Sequence, residues 1–105
     1  MFIINKQKWK IKFVSPDHPM LLTTSGYYTL GACDNATKTV YISDVLDEEK
    51  AWKVLCHEIT HAAMFSYGIT LSLEQEELLA DLVATYGYEI IDMTNSIFIK
   101  LKEGL

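Results

Sequence analysis

No arginine occurs in this chain of 105 residues. Its nine basic side chains are all lysine, set against fourteen carboxylates for a formal net charge of −5. A nucleic-acid module needs a basic face and takes many of its base and phosphate contacts from arginine, so no nucleic-acid partner is expected. Cysteine is scarce as well: Cys33 and Cys56 are the whole complement. Nor does "MFIINKQKWK" hold a signal-type apolar run, so the expected location is the cytoplasm, with both thiols reduced. There the Asn35-Ala36-Thr37 sequon has no meaning. No apolar run is long enough to cross a bilayer, which excludes a membrane-spanning role. The only two prolines fall in "SPDHPM" (15–20) and mark it as a loop.

Half of the residues are apolar, enough for one core, and residues 1–105 are expected to form a single domain. The charge is unevenly spread. Residues 1–45 hold five lysines and three acids, while residues 46–105 hold four lysines and eleven acids. Lys6, Lys8, Lys10 and Lys12 alternate, as on the solvated face of a strand. "KWKIKFV" (8–14) has the polar–apolar alternation of a half-buried strand. "YYTLGAC" (27–33), the turn residues "DNATK" and "TVYIS" (39–43) read as a hairpin.

The period then changes. Asp44 or Asp47 can cap a helix whose first turn holds Glu48 and Glu49. Trp52, Leu55, Cys56, Ile59 and Ala63 recur at helical spacing as an expected core stripe, and Gly68 is a natural stop. "SLEQ" (72–75) is a Ser-x-x-Gln capping box. The helix it opens is expected to bury Leu79, Leu82, Val83, Tyr86 and Ile90, with Gly87 a place where it could loosen or break. Residues 94–105 are expected to form a last helical segment with a frayed end.

The chemistry lies in "CHEITH" (56–61). His57 and His61 are four residues apart, so on a helix their rings stand one above the other, about 40° apart. Two imidazole nitrogens can then meet one metal ion. Glu58 lies about 100° round, beside the ligand face, where it can hold a water rather than the metal. This is the H-E-x-x-H arrangement of zinc peptidases. The pattern alone arises by chance in roughly a few chains per thousand of this length, so its weight comes from a second motif. Zinc in such a site needs a third protein ligand and an open fourth position. Glu77 and Asp81, spaced E-x-x-x-D on the second helix, supply a ligand and, one turn on, a carboxylate able to fix the tautomer of a ligand histidine. Glu76 competes with Glu77 as third ligand, and would leave Ala80 where that carboxylate should stand. Cys56 is expected in the core and Cys33 in strand packing. His18 sits in the proline loop, and Tyr28, Tyr67, Tyr86 and Tyr88 are candidate phenols for a developing oxyanion.

Across "GACDNATKTVYIS", "LCHEITHAAMFSYG" and "EQEELLADLVATYGYEII" the chain resembles the ImmA/IrrE-type metallopeptidases, a gluzincin family common on phages and other mobile elements. The likeness covers roughly residues 26–92 and is greatest to short, free-standing members. It implies His57, His61 and Glu77 as zinc ligands and Glu58 as catalytic acid/base. Ala80-Asp81 stands where the family usually has an alanine–asparagine pair. The better-known members cleave a repressor or other regulatory protein.

The expectation is thus an α+β fold: a minimal zincin-like domain with a small antiparallel sheet on two main helices. It would carry one Zn2+ per chain and hydrolyse a protein or peptide substrate laid along the edge strand 27–33. Two rivals remain. One is a zinc-bound, non-proteolytic protein-binding module, which would have no need of Glu58. The other is a structural zinc, which would ordinarily take four ligands rich in cysteine. Nothing in the sequence fixes an oligomeric state.

Overall fold

The alternation in residues 8–14 does mark a strand. In the computed structural model, which describes residues 1–104, β1 (Phe2–Ile4) and β2 (Gln7–Val14) form a tight antiparallel hairpin. Asn5 and Lys6 turn it with φ of 47° and 65°, the doubly left-handed geometry that matches the twist of the flanking strands. β1 went unanticipated because three residues are too few to show an alternation. β3 (Gly31–Asp34) and β4 (Thr39–Ser43) form the second hairpin. Its turn is held by the Asp34 carboxylate, which accepts from the Ala36 N–H at 3.1 Å and the Thr37 hydroxyl at 2.6 Å.

Two expectations need correction. The sheet, ordered β1-β2-β4-β3, is mixed rather than antiparallel, because β2 and β4 run parallel with Lys10 level with Thr39 and Val14 with Ser43. The 24 residues between them are long enough for the crossover that a parallel pair demands. The strand expected at 27–33 is also displaced to Gly31–Asp34. Its lead-in folds back instead: Thr29 N–H donates to Leu21 O at 2.8 Å, and Tyr28 bridges Leu22. Leu21, in a 3₁₀ turn over Pro19–Leu21, is buried and anchors that excursion. β3 nonetheless lies at the sheet edge, as expected.

α1 (Glu48–Ser66) starts at Asp47, whose carboxylate accepts from Lys50 N–H at 2.8 Å. It ends where Gly68, at φ 64°, lets Gly68 N–H reach Phe65 O and Ile69 N–H reach Met64 O, a Schellman closure. α2 (Leu73–Gly104) opens on the capping box, with Ser72 and Gln75 each donating a backbone N–H to the other's side chain at 3.1 Å. It then runs 32 residues without a break at Gly87. Leu105 lies outside the described residues. Among these, no helix is long and apolar enough to cross a membrane.

Trp9, Val40, Ile42 and Ala62 make the core between the sheet and α1. Trp9 is fully buried, and its indole N–H donates to Ser66 Oγ at 2.8 Å, while the Asn5 amide donates to Ser66 O at 2.9 Å. The last turn of α1 is thereby clamped to the β1–β2 hairpin. The two apolar helix stripes are only partly buried. Leu55 packs on the core, but Trp52, Leu82, Tyr86 and Ile90 are exposed, and α2 buries Ala80 and Ala84 instead.

Candidate metal centre

α1 and α2 pack against each other through their polar motifs. His57 and His61 project from α1 with their Nε2 atoms 3.1 Å apart. From α2 the Glu77 carboxylate meets both, with Oε1 2.9 Å from His61 Nε2 and Oε2 3.3 Å from His57 Nε2. These three side chains bring one ligand atom each within 4.8 Å of one another, a grouping that could hold a metal ion. The helix spacings account for the meeting, since Asp47 and Ser72 fix where each helix begins.

The outer ring nitrogens are engaged as well. His57 Nδ1 lies 3.0 Å from Asp81 Oδ1, and His61 Nδ1 lies 2.7 Å from Glu76 Oε1. Each contact fixes its imidazole with the proton on Nδ1 and the lone pair on Nε2. Two lone pairs and a carboxylate then converge with no donor among them. Acceptors crowded in this way repel one another unless a cation lies between them, so the donor set fits a divalent metal. Asp81 stands where its one-turn spacing from Glu77 placed it. Glu76, weighed as a rival ligand, instead contacts the far side of His61. A sequence search for one outer carboxylate could not see that each histidine has its own.

Glu58 is buried, with 6% of its surface exposed, on the flank of α1 that faces β3. Burial raises its pKa above the usual carboxylate range; His57 and His61 partly oppose this, and Glu77 adds to it. Gly31 makes room for it. A Cβ there would stand 2.6 Å from Val54 Cγ1 and 3.0 Å from Glu58 Cγ. An open cleft of about 400 Å³ runs past these groups, between the Leu30–Gly31 backbone and Ala84 of α2, with Lys50 and Lys53 also lining it.

The remaining candidates lie elsewhere. Burial pushes the Cys33 thiol up to about 12, with Glu58, Asp34 and Glu76 adding to the rise and Lys38 opposing it. Its side chain packs against the core, as expected. Cys56 lines an exposed apolar groove between the helices rather than the core. His18 stacks on Tyr41 at 5.5 Å and caps the 3₁₀ turn. Tyr28, Tyr67, Tyr86 and Tyr88 are all exposed, and none lines the cleft.

A family model described as Peptidase_M78, the IrrE N-terminal-like domain, matches residues 7–91. No curated protein and no solved structure matches significantly.

Proposed function

We propose that this chain, which belongs to the Peptidase_M78 family of IrrE N-terminal-like domains, is a zinc-dependent peptidase acting on a protein substrate. The observation that carries the reading is the convergence of His57 Nε2, His61 Nε2 and the Glu77 carboxylate, with both outer ring nitrogens already committed to Glu76 and Asp81. In this reading His57, His61 and Glu77 hold one zinc ion. Zinc held there supplies Lewis acidity, lowering the pKa of a water towards about 7 and polarising the scissile carbonyl.

The rest is the work of the chain's own groups. Glu58 has a raised proton affinity because it is buried, which suits a base that takes a proton from the attacking water and returns it to the leaving amine. Since no tyrosine lines the cleft, the protein's own help for an oxyanion falls to backbone N–H groups. β3 is a sheet edge beside the cleft. Leu30 O accepts from Ser43 N–H, so Leu30 faces β4 and, by alternation, Gly31 and Cys33 turn their N–H groups outward. A substrate strand pairs there rather than at Thr29, whose N–H is taken by Leu21.

Glu58→Gln tests the reading. It removes the base and leaves the three ligands, so zinc content should persist while cleavage of a peptide library falls by about 10²-fold or more. His57→Ala, His61→Ala and Glu77→Ala should each lose the metal. If zinc-loaded wild type cleaves nothing, yet captures the same partner as Glu58→Gln, the protein-binding alternative replaces the peptidase.

A further inference from the structure

Positive charge is rare around the candidate site. Residues 46–99 hold ten carboxylates and two lysines, Lys50 and Lys53, and both lysines line the cleft. On α1 they continue the face that carries the histidines. At 100° per residue Lys50, Lys53 and His57 fall within about 60° of one another, the lysines about 10 Å and 6 Å from His57 along the axis. Both are exposed, and neither ammonium is paired: among the described residues every ion pair involves His57 or His61. Even Glu49, one turn before Lys53 and suitably spaced for it, forms no such pair. Helix stability does not account for the two cations either, since Lys50 stands in the first turn of α1 and Lys53 just behind it, near the positive end of the helix dipole.

We infer that Lys50 and Lys53 set the specificity of the cleft, which takes peptides with an acidic side chain two or three residues C-terminal to the scissile bond. This rests on the peptidase reading of the same site. The cleft's own carboxylates do not satisfy the lysines, because Glu77 and Asp81 contact the histidines and Glu58 is buried. Nor does main-chain pairing suffice at that end. A substrate strand can pair with the outward N–H groups of Gly31 and Cys33, but the Thr29 N–H is held by Leu21. Beyond Gly31 the recognition of substrate falls to side chains, and the charged ones there are Lys50 and Lys53.

Direction and distance follow from the lining. Along the strand side the cleft is bordered by Thr29, Leu30 and Gly31 but not by Ala32–Asp34, so it extends from the candidate metal ligands towards earlier residues of β3 as well as of α1. Antiparallel pairing, the commoner and stabler kind, then brings the C-terminal part of a substrate to the lysines. At about 3.4 Å per extended residue, 6 Å and 10 Å reach the second and third residues past the reacting carbonyl. A second hollow shares Lys50, Lys53 and Ala84 with the cleft, so the peptide has room to run on past them.

Two readouts test this, one of them independent of turnover. Zinc-loaded Glu58→Gln, immobilised, is used to select from a displayed library of random dodecapeptides, and zinc-loaded wild type is used to digest a random peptide pool read by mass spectrometry. Asp and Glu should be enriched among the bound peptides, and at the second or third position after the cut among the products, by roughly two- to fivefold per lysine. Salt at 0.5 M should flatten the preference. Lys50→Gln with Lys53→Gln should abolish it, and Lys50→Glu with Lys53→Glu should turn it towards Lys and Arg, with zinc content unchanged; both positions are exposed, so the fold tolerates the changes. Absence of acidic enrichment in the Glu58→Gln selection overturns the inference whether or not wild type cleaves, as does an enrichment indifferent to the lysine variants. Acidic enrichment before the cut instead of after it overturns the antiparallel placement. If wild type cleaves nothing while Glu58→Gln still enriches acidic peptides through these lysines, the specificity stands and the peptidase reading fails.

Discussion

Removing the two outer carboxylates should expose how unequally they act. Asp81 and Glu76 hold the Nδ1 atoms of His57 and His61 respectively, and losing such a partner typically weakens metal affinity about 10- to 100-fold. The structure divides that range. Glu76 contacts His61 at 2.7 Å, with the carboxylate 19% exposed and the imidazole 9%. Asp81 contacts His57 at 3.0 Å but is 69% exposed, so water can replace most of what it provides. Glu76→Ala should therefore lie near the 100-fold end, about 2.7 kcal/mol, and Asp81→Ala near 10-fold, about 1.4 kcal/mol. The carboxylates act on different rings, so the double variant should approach 10³-fold. Glu76→Gln should be milder than Glu76→Ala, because its amide oxygen can still accept from Nδ1–H. A chelator competition titration for zinc reads all four values. Greater loss in Asp81→Ala than in Glu76→Ala would refute the burial argument. Metal retained in Glu77→Ala but lost in Glu76→Ala would reverse the roles of the two glutamates.

Three further outcomes follow from packing. Gly31→Ala forces a Cβ to within 2.6 Å of Val54 Cγ1 and 3.0 Å of Glu58 Cγ; it should cost about 1–3 kcal/mol in urea unfolding and lower turnover about 10²-fold by shifting Glu58, with full activity as the refuting result. Ser66→Ala strands the Trp9 indole N–H in a fully buried position and should cost about 1–3 kcal/mol, measured by the same unfolding curves; a neutral effect would mean that the clamp on α1 is dispensable. The Cys33 thiol, pushed up to about 12, keeps its proton in the folded chain, whereas an unfolded thiol loses it near pH 9. Above that pH the unfolded state binds fewer protons, so stability falls as pH rises from about 9 to 12; the fall should be smaller in Cys33→Ala, and equal slopes would contradict the assigned burial.

Local signals in the sequence carried far. Asp47 as cap, Gly68 as stop and the reciprocal Ser72–Gln75 box are short-range effects decided within one turn of chain. The four-residue spacings of His57–His61 and Glu77–Asp81 are equally local, and the two faces they define do meet. What was misjudged is non-local. The parallel pairing of β2 with β4 depends on how residues 15–38 return, and the shift of β3 depends on Leu21 capturing Thr29. No alternation pattern records a partner strand.

The apolar stripes were misjudged for a different reason, and it bears on the site itself. Periodicity locates a hydrophobic face but does not say what covers it. In most helix pairs the contact surface is the apolar stripe. Here the strip of α1 that meets α2 holds His57 and His61, and the matching strip of α2 holds Glu76, Glu77 and Ala80. The motifs that could hold a metal occupy the helix–helix interface, with small alanines letting the backbones approach, so Trp52, Leu82 and Ile90 are displaced to the flank and form an open groove. Parts of two stripes read as core thus became one exposed groove, while Leu55 still packs on the core. Burying a polar site between two helices and leaving an apolar face uncovered are two results of the same exchange. A partner that covers the face would return to the fold the hydrophobic contact that the polar site displaced.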